Sequence, residues 1–162
     1  MKKIIVIGCP GSGKSTFARA LHRKLGLPLY PLDQMFWNAD RTTVEKSVFL
    51  DRLSAVLEQD EWIIDGNYAS TMELRMAKCD TVILLDLPWE VCLGGAISRL
   101  GKPRPDLPWI DTELDEALKQ QIEEFGVRHL PQIYGLLDRY ADGRTVRVFR
   151  SREDADAFLR SL

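Results

Sequence analysis

The sequence predicts an α/β fold, a three-layer α/β/α sandwich built on a parallel sheet. Three observations predict it. Short β-branched apolar runs alternate with amphipathic helical stretches along the 162 residues, the pattern of strand–helix–strand units with right-handed crossovers. The opening run, Ile4-Ile5-Val6-Ile7, is apolar at every position, as suits a strand covered on both faces. The runs end in polar turn residues, at Gly8, Asp33, Asp65 and Asp86, and ligands of open parallel sheets gather at such carboxyl ends.

The first strand runs into Gly8-Cys9-Pro10-Gly11-Ser12-Gly13-Lys14-Ser15, which fits G-x-x-x-x-G-K-[ST] without a mismatch. A helix follows, with Phe17, Ala18, Leu21 and Leu25 on one stripe and Gly26 as its stop. Strand, glycine loop and helix form the context in which this motif binds phosphate. Small residues let backbone N–H groups converge on a polyphosphate, and the helix adds its free N–H groups and positive dipole end. The nucleotide-binding set is therefore Gly8, Pro10, Gly11, Ser12, Gly13, Lys14, Ser15 and Thr16. Lys14 brings a charge to the β- and γ-phosphates of ATP, and the Ser15 hydroxyl is a ligand for Mg²⁺.

Leu27–Leu32 reads as a second strand ending at Asp33, followed by the aromatic and polar stretch Asp33–Asn38. A helix is predicted from about Thr43 to Gln59, with Val48 or Phe49, Leu53, Val56 and Leu57 buried. Trp62-Ile63-Ile64 is a third strand, closed by Asp65-Gly66-Asn67-Tyr68, and a helix through Met72, Leu74 and Met76 follows. Thr81–Leu85 is a fourth strand, ending at Asp86. The next helix, about Trp89 to Leu100, carries Val91, Ala96, Ile97 and Leu100. Gly101–Pro108 is dense in proline and charge and reads as a loop. Leu114, Ala117, Leu118, Ile122 and Phe125 trace a further helix, and Pro131 kinks it or starts a new one. Thr145–Phe149 is a fifth strand, and Ser151 with Asp154 caps a last helix that buries Ala155, Phe158 and Leu159. One domain spanning 1–162 is expected.

Composition narrows the functions. A net charge of −2 offers no basic field for nucleic acid or for an anionic membrane surface. No apolar run approaches the ~20 residues that span a bilayer. The apolar segment after Met1-Lys2-Lys3 is too short for a signal peptide. Cys9, Cys79 and Cys92 lack metal-site or C-x-x-C spacing, so reduced thiols and a cytoplasmic setting are expected. Asp33 and Asp65 at strand ends are candidate Mg²⁺ or acceptor ligands, whereas Asp86 reads as a turn residue.

These residues resemble the adenylate-kinase-like group of small P-loop kinases, and within it the bacterial topology modulation or FlaR-type flagellar regulation proteins. Gly8–Thr16 is similar to the group's nucleotide loop, and Asp33-Gln34-Met35-Phe36-Trp37 to its D-x-x-x-W. Trp62–Tyr68 resembles W-I-I-D-G-N-Y, and Leu85-Asp86-Leu87-Pro88 resembles L-D-L-P. The resemblance implies five parallel strands in the order 2-3-1-4-5, an acceptor-binding helical region at about 33–60 and a lid at about 99–128. It implies that lid arginines, Arg99 and Arg104 foremost and then Lys102 and Arg128, fold over the γ-phosphate, and that Arg150 contacts the adenine. Asp33 would receive a hydroxyl proton or bind a hydroxyl. Trp37 and Tyr68 read as base-stacking rings or as core aromatics. Arg75 and Arg41 read as acceptor-phosphate ligands or as surface residues.

The first functional expectation is an ATP- and Mg²⁺-dependent phosphotransferase acting on a small acceptor, nucleoside monophosphates among those admitted. The second is a regulatory ATP-binding protein with little or no turnover. A GTPase ranks last, because no N-K-x-D motif is present. Monomer and homodimer both remain open.

Overall fold

A computed structural model describes residues 1–162. Five strands, β1 (Lys3–Gly8), β2 (Leu29–Pro31), β3 (Trp62–Asp65), β4 (Thr81–Leu85) and β5 (Thr145–Phe149), form one sheet. Its order is β2-β3-β1-β4-β5 and every pairing is parallel. Eight helices cover it: α1 (Lys14–Leu25), α2 (Leu32–Phe36), α3 (Lys46–Leu57), α4 (Ala69–Lys78), α5 (Trp89–Ser98), α6 (Glu116–Arg128), α7 (Leu130–Tyr140) and α8 (Arg152–Ser161). The predicted class and strand order are those observed.

The core lies where apolar periodicity places it. Ile4–Ile7, Ile63, Ile64 and Val82–Leu85 fill the sheet, and Phe17, Ala18 and Leu21 of α1 pack on it. Gly26 stops α1 in the left-handed conformation, its N–H donating to His22 O. Phe17, Phe149 and Phe158 cluster with ring centroids 5.3–6.4 Å apart, joining α1, β5 and α8. The Ser151 hydroxyl caps α8 by accepting from Asp154 N at 3.1 Å.

Three elements differ from expectation. The second strand is shorter, because Leu32–Phe36 folds as α2 and buries Leu32 and Met35. In α5 the buried face is Cys92 and Ala96, while Val91 and Ile97 are exposed. Apolar residues surround that helix, so its stripe is not unique. Pro131 lies in the first turn of α7, where its missing N–H costs no helical bond, and so starts a helix.

Candidate active site

The loop between β1 and α1 turns tightly, with Ser12 N donating to Cys9 O at 3.0 Å. Gly11 has φ +82°, and a Cβ there would lie 1.9 Å from the carbonyl oxygen of Cys92 in α5, so no other residue fits. Gly95 of α5 is equally confined, 2.1 Å from Gly11 O and 2.6 Å from Arg152 Nη2 were it to carry a Cβ. The first turn of α1 has neither a side-chain cap nor an acidic residue, which leaves its N–H groups open to an anion. The buried Ser12 hydroxyl has no partner. Two distant side chains brace the loop. Asn67 accepts from Gly8 N at 3.0 Å and donates to Gly8 O at 2.6 Å. Arg152 Nη2 donates to Gly11 O at 3.1 Å.

Beside the loop, Ser15 Oγ donates to Asp65 Oδ2 at 2.6 Å, and the other oxygen, Oδ1, is buried with no partner. Asp65 is 5% exposed. Burial raises its carboxyl above the usual range, against the lowering effect of Lys14 and the Ser15 hydroxyl. An orphaned carboxylate oxygen next to a serine hydroxyl and a phosphate loop fits a hard divalent cation. Mg²⁺ takes few protein ligands and shares itself with substrate phosphates, which agrees with the lack of any cluster of three or more His, Cys, Asp or Glu side chains.

Two cavities open on this region. The smaller, about 530 Å³, runs along the phosphate loop and reaches Arg19, Lys102 and Arg152. The larger, about 970 Å³, lies among Asp33, Trp37, Arg41, Tyr68, Trp109 and Phe125. Lys14, Ser15, Arg99, Arg104 and Asp106 line both, so these residues form the wall where the two meet. Burial lowers the Arg99 pKa, and the neighbouring Arg104 charge lowers it further. Its buried Nε has no partner. Two adjacent guanidiniums with an unmet donor are arranged to receive an anion.

In the larger cavity, Tyr68 donates its hydroxyl to Asp33 Oδ1 at 2.6 Å. Burial foremost, and then the Asp33 charge, raise the Tyr68 pKa, so the phenol stays a donor. The Tyr68 ring packs on Phe36 and Phe49 at 5.0 and 5.3 Å. It is a core aromatic with a polar tip rather than a free stacking surface. Tyr68 also begins α4 with φ 39°, a left-handed conformation costly for a residue with a Cβ. Trp37 meets Trp109 edge-on at 5.7 Å.

Three arginines named from the sequence lie outside both cavities. Arg75 is 0% exposed and lines neither cavity. It donates to Gly66 O, Asn67 O, Tyr68 O and Thr71 Oγ1, holding the turn after β3, so it does not present itself to an acceptor phosphate. Burial lowers its pKa to about 10. Arg150 is exposed, lines neither cavity and approaches Asp86 at 4.0 Å. Arg152, two residues on, lines the smaller cavity and reaches Gly11 O instead. Arg128 lines neither cavity and pairs with Glu124 on its own helix. Asp86 has a packing role, accepting from Tyr134 Oη at 2.5 Å.

Sequence reasoning did not single out Asn67, Arg152 or Trp109. Asn67 had a local signal, an amide beside a strand-end glycine. The other two carry none, since only the fold brings them to the loop and to Trp37.

No family model matches the sequence, and no curated protein does. Solved structures do. Shikimate kinase from Bacteroides thetaiotaomicron superposes with a TM-score of 0.56 at 18% identity, over 98% of this chain and 94% of that one. Shikimate kinase from Acinetobacter baumannii, in complex with shikimate, gives 0.60 at 16% identity, over 99% and 92%. This chain shares their fold, a five-stranded parallel sheet in the order β2-β3-β1-β4-β5 covered by helices. Identities this low establish the fold and leave the reaction to be argued from the site. No helix is long and apolar enough to cross a membrane.

Proposed function

We propose that this protein is an ATP-dependent phosphotransferase that moves the γ-phosphoryl group to a hydroxyl of a small acceptor. The observation that carries the proposal is the shared wall of the two cavities, with Lys14, Ser15, Arg99 and Arg104 facing both. A triphosphate laid along the loop places its terminal group at that wall, in line with a hydroxyl held near Asp33.

Chemically, the acceptor oxygen forms a bond to the γ-phosphorus, the bond from that phosphorus to the β,γ-bridging oxygen breaks, and ADP leaves. The acceptor proton passes to Asp33, whose carboxylate Tyr68 orients. Lys14, Arg99 and Arg104 stabilise charge on the phosphoryl oxygens. Ser15 and Asp65 would hold Mg²⁺, which neutralises phosphate charge when bound. Of the expected lid at 99–128, α6 is anchored in the core through Ile122 and Phe125, so residues 99–115 act as the lid that brings the two arginines in and keeps water out, and Trp37 forms a wall of the acceptor chamber.

The test is ADP release in the presence of Mg²⁺ over a panel of small hydroxyl compounds. Acceptor-stimulated release should fall at least 10²-fold in Lys14→Ala and in Asp33→Asn. Release that no acceptor stimulates, equal in wild type and Lys14→Ala, would remove the proposal. ATP binding without stimulated turnover would favour a regulatory nucleotide-binding protein of the topology modulation or flagellar regulation type.

A further inference from the structure

The acceptor chamber discriminates by charge. Resting on the phosphotransferase reading above, we infer that the acceptor is a hydroxyl compound that carries an amino group and no phosphate or carboxylate.

The inference comes from what is left in the larger cavity once its other duties are assigned. Lys14, Arg99, Arg104 and Asp106 belong to the wall shared with the smaller cavity. Among the remaining lining residues the one permanent cation is Arg41, against the carboxylates of Asp33, Asp65, Asp111, Glu113 and Asp115. Setting Asp65 aside for the metal leaves four acids to one base. Arg41 is itself engaged, with its guanidinium over the Trp109 ring at 5.4 Å and its Nη2 reaching Ile110 O at 3.5 Å. None of Asp33, Asp111, Glu113 and Asp115 has an ion-pair partner within 4.0 Å. Their hydrogen-bond partners are neutral, the Tyr68 hydroxyl for Asp33 and Ala117 N for Asp115.

A phosphate or carboxylate on the acceptor would need cations to replace its hydration, best a bidentate guanidinium. The arginine that the turn after β3 might have offered, Arg75, faces the backbone instead. Arg99 of the shared wall lies near enough to feel Asp33 and Asp111, but none of the four acids forms an ion pair, so an anion would meet like charge. An ammonium meets the opposite situation, with carboxylates and the Trp37–Trp109 pair lining the chamber. Trp109 already supports a cation. The hydroxyl of such a compound then falls to Asp33, next to the phosphoryl group.

The test uses matched series on the full chain with Mg²⁺ and ATP: 2-amino-1,3-propanediol, glycerol and glycerate; glucosamine, glucose and gluconate; adenosine and adenosine monophosphate. ADP release is expected to favour the amine over the anion by at least tenfold in kcat/KM within a series, and adenosine over its monophosphate. The double variant Asp111→Asn/Glu113→Gln is expected to narrow the amine-to-neutral ratio several-fold, a change that a purely structural role would not produce. An anionic member turned over as well as its amine or neutral counterpart overturns the inference and leaves the kinase reading intact. If no member is turned over, calorimetry of the same compounds against protein saturated with a non-hydrolysable ATP analogue decides. Amines binding more tightly than anions supports the inference. No heat with amines, or tighter binding of anions, overturns it. Failure to bind ATP itself strikes the phosphotransferase reading instead.

Discussion

Asp65 is a buried carboxyl whose ionised form costs stability and which, on the proposed function, would serve the metal. Its folded pKa is raised by burial, above an unfolded value near ~3.9. The folded state therefore holds the proton more tightly. Stability falls as pH rises from the unfolded value through the folded one, and above that window the ionised carboxylate is a net cost. Asp65→Asn should raise the denaturation midpoint of the nucleotide-free protein at pH 7.5. The gap should close as pH falls towards 4, and the stabilisation given by Mg²⁺ with ATP should be lost. Equal midpoints at pH 7.5 would show that Lys14 and Ser15 fully offset the burial. Arg75 behaves oppositely. Arg75→Met would leave the carbonyls of Gly66, Asn67 and Tyr68 without their donor, and buried carbonyls so orphaned cost roughly 1–3 kcal/mol each before relaxation. A loss of about 3 kcal/mol in urea unfolding is expected, with Arg75→Lys no adequate rescue because its ammonium lacks the planar fork. The sequence named Arg75 but not its direction. An arginine's identity does not reveal whether it meets a ligand or a turn, and here the answer depends on carbonyls seven to nine residues away.

The helix α5 carries a sharper test, because its two adjacent glycines differ in their surroundings. A Cβ at Gly94 meets nothing within 4 Å, whereas one at Gly95 strikes Gly11 O and Arg152. Gly94→Ala should stabilise by about 0.5–1 kcal/mol through helix propensity. Gly95→Ala, the same change one residue on, should destabilise and weaken ATP binding, since the phosphate loop must shift. Thermal melts of the two variants, with and without nucleotide, separate local propensity from loop packing. At α8, Ser151→Ala should cost about 1 kcal/mol by removing the cap. That cap and the glycine loop were legible in the sequence, because each depends on residues close in the chain or on a motif with fixed spacing, whereas the strand order pairs distant segments and came only from the resemblance to small P-loop kinases. The helix α2 was not legible. Its five residues are too few to show a period, and its burial of Leu32 and Met35 depends on the turn after β3. In α5 apolar content alone could not say which face meets the loop.

Across the whole molecule, the sheet presents its loops at one edge, and the loop between α5 and α6 lies over them with few internal bonds. Within the loop these include a bridge between Arg104 and Leu107 and the bond from Gly101 N to Asp111 O at 2.7 Å, and Arg19 to Asp106 at 3.9 Å, Arg41 to Ile110 O at 3.5 Å and Trp37 to Trp109 at 5.7 Å tie it to the rest of the molecule. Amides of residues 99–115 should exchange with solvent faster than those of β1 and β4, and slow when Mg²⁺ and ATP bind. Unchanged exchange on binding would argue against closure. The larger cavity was only partly legible for the same reason of scale. Asp33 and Trp37 stand out locally, but Trp109 joins them from 72 positions further on. The doorway lined by Lys14, Ser15, Arg99 and Arg104 has a practical corollary for inhibitor chemistry. One molecule with an adenosine at one end and an amino alcohol at the other, tethered through a phosphate chain, would occupy both rooms. Its second half would bind at the high effective concentration set by the first, so its grip should far exceed that of either fragment alone.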